Sequence, residues 1–296
     1  MLDAEAADRR DFWTGYQPGF KFSDAEVGSQ RFFDEVEAHR YALEPHIKEI
    51  VGFERWAGKD VLEAGCGIAT DGMQFVRAGA RYTGMDFSPS ALSLAQHRFD
   101  LAGEEARLQQ GSIAEIPFPD DSFDLVYSNG VIHHLPETQR VVDEFHRVLR
   151  PGGKAIVMVY HRDSLNYLFT IMVLRRLLAG LLLIPGSDRL VARLTGEPLD
   201  VLEGHKALLR EHGLGYLTDT ATFLSNNTDG PGNPLSKVYS RRTGRELFAR
   251  FERVETDVRF LNLRIYPYGD RLAATAFARR LDRRYGWHLW LTAVKA

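Results

Sequence analysis

The feature that most constrains this chain is a change of rhythm at Asp60. From there to Tyr160 short apolar runs alternate with helical patterns. The runs are Val61-Leu62-Glu63-Ala64, Arg81-Tyr82-Thr83-Gly84-Met85, Phe123-Asp124-Leu125-Val126-Tyr127 and Ala155-Ile156-Val157-Met158-Val159-Tyr160. Apolar periodicity places helices between them near residues 71–79, 88–102 and 137–149, the last closed by Pro151-Gly152-Gly153. Parallel strands need a crossover connection, and strand, helix, strand at this spacing predicts a parallel sheet wound by right-handed crossovers.

Two strand ends carry the chemical information. The first run leads into Gly65-Cys66-Gly67, and glycines at the carboxyl end of a strand let backbone approach a ligand closely. The second run leads into Asp86, 21 residues beyond Gly65, where an acidic side chain can accept hydrogen bonds from both ribose hydroxyls. A nicotinamide enzyme would use the same pair of features. It would also want Gly or Ala at the position of Thr70, to bring a helix tightly beneath a pyrophosphate, and here Thr70-Asp71 puts an acid at the helix start. An acidic loop built from Glu63 and Asp71 suits a phosphate-free cationic donor such as the sulfonium of S-adenosylmethionine (SAM), and it repels a dinucleotide.

Five motifs in order carry a resemblance. They are residues 61–71, Thr83-Gly84-Met85-Asp86-Phe87-Ser88, Ile116-Pro117-Phe118 with Asp121-Ser122-Phe123-Asp124, Val131-Ile132-His133-His134, and Arg147-Val148-Leu149-Arg150-Pro151-Gly152-Gly153. Over residues 56–160 the chain resembles the class I SAM-dependent methyltransferases of the ubiquinone/menaquinone and small-molecule type. The resemblance implies a Rossmann-like α/β fold, a seven-stranded mostly parallel sheet with its last strand antiparallel, and residues 287–294 fit that strand. It also implies a cofactor set of Glu63, Gly65, Cys66, Gly67, Asp71, Asp86, Phe87, Ser112, Ile113, Ala114 and Asn129. In that set Gly65, Gly67 and Asn129 face the methionyl part, Asp86 the ribose, and Phe87, Ile113 and Ala114 the adenine. Two positions depart from the family pattern: Ala69 stands where a third glycine is usual, and Ser112 where an acid is usual.

Methyl transfer from a sulfonium needs little beyond alignment in a dry pocket, but an alcohol, phenol or amine acceptor must lose a proton. His133, His134 and Tyr160 follow the fourth and fifth strands and are the candidates for that step, with His133 preferred of the two histidines. No metal is expected, because no other Cys, His or acid lies at ligand spacing. Acceptor contacts are assigned to Tyr16, Phe20 and Tyr41 in the N-terminal segment, to His161 and Tyr167 beyond the fifth strand, and to Arg241.

Residues 1–57 are expected to form an N-terminal helical lid, residues 58–160 and 241–296 the core, and residues 161–240 a helical insertion capping the acceptor site. Residues 165–184 are the most apolar stretch, yet Arg175 and Arg176 at its centre argue against a membrane span, so a buried lid helix is expected. The N-terminal portion 1–160 carries 16 Lys and Arg against 26 Asp and Glu, whereas 161–296 carries 21 against 14, making the second portion the side to meet an anionic acceptor or membrane surface. A single cysteine and a charged start predict a cytoplasmic setting. The expected activity is methylation of a small, largely apolar acceptor, O-methylation first, as in natural-product or secondary metabolism. The competing reading is a lipid or quinone acceptor met at the membrane surface. No nucleic-acid partner is expected, and a homodimer is left open.

Overall fold

The computed structural model describes residues 12–15, 20–263 and 275–296. Its strands are β1 (Asp60–Ala64), β2 (Arg81–Asp86), β3 (Arg107–Gln110), β4 (Phe123–Asn129), β5 (Leu149–Tyr160), β6 (Arg253–Arg259) and β7 (His288–Val294). They form one sheet in the order β3-β2-β1-β4-β5-β7-β6. Strands β1 to β5 pair in parallel, and β7 runs antiparallel to both β5 and β6. The seven-stranded, Rossmann-like expectation is met, including the antiparallel last strand. Strand order reverses beside β1, and the crevice at the carboxyl ends of β1 and β4 is where ligands bind in open sheets of this kind.

The helices are α1 (Gln30–Leu43), α2 (His46–Val51), α3 (Thr70–Arg77), α4 (Pro89–Ala102) and α5 (Thr138–Val148). Local sequence accounts for them. The Ser88 hydroxyl caps α4 by accepting from the Ala91 amide, Pro89 supplies a preset φ at the first turn, and Gly103 closes the helix in the left-handed conformation. Helix α5 lays Val141, Val142, Phe145 and Val148 on the sheet, an apolar stripe at helical spacing. Central strands covered on both faces read as nearly continuous apolar runs, which is why β1, β4 and β5 were conspicuous in the sequence.

Three expectations need correction. Strand β3 has one apolar residue, Leu108, and no alternation to betray it, so the sequence reading passed over it. Helix α5 ends at Val148, and Pro151-Gly152-Gly153 lie inside the first half of β5 rather than in a loop. The stretch 165–184 is not a buried lid helix. It is a π-helix (Asn166–Arg175) running into α6 (Arg176–Leu181), followed by α7 (Asp188–Thr195), α8 (Leu199–His212), α9 (Gly215–Thr218) and α10 (Thr220–Asn226).

Ile171, Ala179 and Leu182 of that stretch are buried, but Leu168, Phe169, Val173, Leu183 and Ile184 are exposed, and Leu177 is 66% exposed. The segment contacts α9 and α10, and its two arginines are engaged by the helices around it: Arg175 pairs at 2.8 Å with Glu197, just before α8, and Arg176 donates to Thr220 of α10. Among the described residues no helix is long and apolar enough to cross a membrane. The chain returns to the sheet through α11 (Arg241–Leu247) and α12 (Ala276–Tyr285), both packed on β6.

Candidate functional site

A cavity of about 440 Å³ opens at the carboxyl ends of β1, β2 and β4. That lies within the range of about 300 to 1,000 Å³ usual for small-molecule sites. Its border includes Glu63, Gly65, Cys66, Gly67 and Asp71 from β1 and the turn after it. Asp86 and Phe87 come from the end of β2, Ser112, Ile113 and Ala114 from the turn after β3, and Asn129 from the end of β4. The eleven residues singled out for cofactor contact thus surround one space.

The β1 turn is shaped by close backbone approach. Gly65 has φ +81°, and a Cβ there would meet Val131 Cγ2 at 2.5 Å. Ala69 occupies the left-handed region at φ 53°, which explains why glycine suits this position. Asp86 ties the turn to β2: its carboxylate accepts from the Gly67 amide and from the Ser88 amide, each at 2.9 Å. Burial pushes the Asp86 carboxyl above its ordinary value, with these backbone donors pulling the other way. A carboxylate offers about four acceptor sites, so lone pairs remain for a diol.

The acidic loop expected from Glu63 and Asp71 is not the pair of free charges that the sequence suggested. Asp71 accepts from Arg40 Nη2 at 2.6 Å and Nε at 3.0 Å, from Tyr41 at 2.7 Å and from Tyr127 at 2.7 Å. Burial alone would raise its carboxyl, but the adjacent Arg40 guanidinium and these hydrogen bonds outweigh it and hold the group below its usual range. Glu63 accepts from Tyr82 at 2.6 Å, and burial together with the Asp71 charge pushes its carboxyl well up, toward the neutral acid. Asp71 is paired with Arg40 and Glu63 is pushed toward its neutral form, so selectivity for a cationic donor cannot rest on a doubly negative loop.

Of the catalytic candidates, His134 borders the cavity and His133 does not. His133 is fully buried with its ring 3.9 Å from that of Tyr160, and neither ring nitrogen has a hydrogen-bond partner among the described residues. Burial drives its imidazole well below the ordinary value. His134 is the histidine at the cavity edge, and its Nδ1, 2.8 Å from the Leu235 carbonyl, donates to it. In the neutral ring the lone pair is then on Nε2, which lies 3.5 Å from Asp229 Oδ2. Burial lowers the His134 pKa while the Asp229 charge opposes the shift. Tyr160 also reaches Asp229, donating at 3.0 and 3.1 Å to its two oxygens.

The acceptor-side predictions fare differently. Tyr16 lies outside the described residues. Phe20 packs edge-on against Phe32, Tyr41 is spent on Asp71, and Tyr167 packs into the core. His161 Nδ1 faces the Gly286 carbonyl at 3.0 Å, and Arg241 donates to the Arg283 carbonyl at 2.6 Å. None of these five borders the cavity. In their place stand Trp13, whose ring is 4.7 Å from that of His134, and Arg40, Val131, Leu135, Glu137 and Arg140.

Arg40, Trp13 and Asp229 escaped the sequence reading. Arg40 and Asp71 are 31 residues apart with no shared motif. Trp13 was an aromatic of the N-terminal segment like those that were chosen. Asp229 sits in a Gly, Asn and Pro-rich loop whose composition had marked it as irregular, the sort of segment that often carries function.

Residues 62–157 match the methyltransferase domain family. A probable S-adenosylmethionine-dependent methyltransferase of Mycolicibacterium smegmatis is 29% identical over 230 residues, covering 77% of this chain and 74% of that protein. A phthiotriol/phenolphthiotriol dimycocerosates methyltransferase of Mycobacterium leprae is 38% identical over 99 residues, 33% of this chain and 36% of that one. Among solved structures, a protein of Pyrococcus horikoshii superposes with a TM-score of 0.52 at 16% identity, covering 97% of this chain and 99% of that chain, which speaks for the fold alone.

Proposed function

We propose that the chain is a class I SAM-dependent methyltransferase that methylates a small, largely apolar acceptor held against His134 and Trp13, with an O-methyl product favoured. The observation that carries this reading is the single cavity bordered by the β1 turn, Asp86 and Asn129 on one side and by Trp13, Val131, His134 and Leu135 on the other. The donor set fits SAM: a carboxylate with free lone pairs at Asp86 for the ribose diol, and the Arg40 guanidinium for the carboxylate of the methionyl tail.

Bound SAM supplies an electrophilic methyl carbon. The chain supplies placement and proton handling. The acceptor's proton passes to the His134–Asp229 pair at the cavity edge, and the imidazolium so formed is held between the Leu235 carbonyl and Asp229. Tyr160 fixes the Asp229 carboxylate in that position. Trp13 and α1 act as a lid that excludes water, and Arg40 and Tyr41 latch α1 to Asp71 beneath it.

His134→Ala tests the reading directly. It is expected to lower kcat by about 100-fold or more, with SAM binding unchanged by calorimetry. Equal kcat in the variant would remove His134 from the reaction.

A second acceptor class, a lipid or quinone taken from a membrane surface, is favoured by the exposed apolar residues Leu168, Phe169, Val173 and Leu177 of the insertion. The Mycobacterium leprae relative, named a phthiotriol/phenolphthiotriol dimycocerosates methyltransferase, supports the same reading. Co-sedimentation with anionic vesicles separates the two, since no binding would leave only the water-borne acceptor.

A further inference from the structure

We infer that Glu44, His46 and His288 form a binding site for one divalent transition-metal ion of the zinc type, a clasp joining the N-terminal helices to the last strand of the sheet. His46 opens α2 and His288 opens β7, so the pair is 242 residues apart in sequence and invisible to any spacing motif. That separation is why no metal was expected from the sequence. None of the three residues borders the SAM cavity, and the inference does not depend on the methyltransferase chemistry.

The geometry carries it. His46 Nε2 and His288 Nδ1 are 3.3 Å apart. In a tetrahedral zinc site, with Zn–N of about 2.0 to 2.1 Å, the edge between two nitrogen ligands is about 3.3 to 3.4 Å. The ligand atoms of all three residues lie within 4.8 Å of one another. The Glu44 carboxylate carries no hydrogen bond among the described residues and is half-buried, so rotation of its side chain can close the remaining gap and leave a fourth position to water.

The surroundings are those of a metal centre. The Phe260 ring stacks on His288 at 4.4 Å and the Trp290 ring meets His46 edge-on at 6.1 Å, an apolar shell around polar ligands. The two nearest cations are already neutralised, Arg40 by Asp71 and Arg259 by Asp257. A bare hydrogen bond between the two rings would also give the 3.3 Å distance, with the Glu44 carboxylate facing the charge of Arg40, and the titration below separates the two arrangements. An ion shared by all three would close a very long loop, where a cross-link restricts the unfolded chain most. It would also anchor α2 directly behind α1, the helix that carries Arg40 and Tyr41.

The test uses the untagged full chain, stripped with chelator and titrated with Co²⁺ and then Zn²⁺. The expected result is one ion per chain, visible absorption bands of tetrahedral Co²⁺ displaced by Zn²⁺, and a Tm higher by a few degrees with Zn²⁺. His46→Gln and His288→Gln are each expected to abolish the tetrahedral spectrum. Glu44→Gln, at a half-buried position that leaves the core untouched, is expected to weaken Zn²⁺ binding at least tenfold while circular dichroism stays native. A folded chain with no tetrahedral Co²⁺ spectrum, or one whose binding is unaffected by all three substitutions, would overturn the inference and leave only a histidine pair sharing a proton.

Discussion

The cofactor crevice and the insertion are built on opposite plans. In the crevice each functional side chain stands at the end of a strand that the sheet holds in register, and its polar groups are tied to neighbours: Asp71 to Arg40, Tyr41 and Tyr127, Asp86 to two amides. The insertion is a series of short helices whose apolar residues are divided between a packed side, with Val191, Leu202, Leu209 and Tyr216, and an open side, with Leu177, Leu190, Leu194 and Leu214. The first plan fixes a geometry for one ligand. The second leaves a surface that only a contact can complete. The difference is one of constraint, and it can be broken experimentally.

The largest effect should come from cutting the crevice network at its centre. Asp71→Asn leaves the partly exposed Arg40 without its counter-charge and should cost about 3 kcal/mol of stability, read as a drop in the urea midpoint. A loss below 1 kcal/mol would mean that the crevice is no better constrained than the insertion. Asp86→Ala should weaken binding of the demethylated cofactor product by about 1.5 to 3 kcal/mol in calorimetry, through lost charge-assisted hydrogen bonds. An unchanged dissociation constant would take the ribose away from Asp86.

The insertion should respond to pH. Burial lowers the His205 imidazole to about 4, against an ordinary value near 6.5, while its Nδ1 lies 2.7 Å from the Tyr216 hydroxyl. A depressed folded pKa means that the neutral ring's stabilisation is present above about pH 6.5 and is lost as the pH falls toward 4. Between pH 7.5 and 5.5 His205→Gln should therefore lose about 1 kcal/mol less stability than the parent chain. Equal losses would show that His205 does not govern the insertion's acid sensitivity. The smallest expected effect is a gain: Ala69→Gly relieves a left-handed alanine and should add about 0.5 to 1 kcal/mol, a rise of a few degrees in Tm.

How far the site was legible follows the same division. Gly65, Gly67 and Asp86 were readable as crevice residues because a parallel sheet brings the ends of its strands together whatever the side chains elsewhere, and Asn129 came from the family resemblance. Strand β3 was missed because an edge strand need not be apolar, and Leu108 alone is too little signal. His133 and His134 could not be told apart in sequence. Adjacent residues point in different directions, and only the loop carrying Leu235, folded back over a hundred residues later, turns one ring toward the cavity and seals the other away.

Apolar periodicity and glycine placement along residues 60–160 were enough to determine the winding of the core and the crevice at its strand ends, because those properties depend on backbone geometry repeated at short range. Packing between distant segments decided the hydrogen-bond partners of Glu63 and Asp71, the placing of His134 at the cavity edge with Asp229 behind it, the exposed side of residues 165–184 and the meeting of His46 with His288. Each of these depends on which side chain comes to rest against which. Burial and pairing then set its ionisation, and no short-range pattern in the chain encodes that.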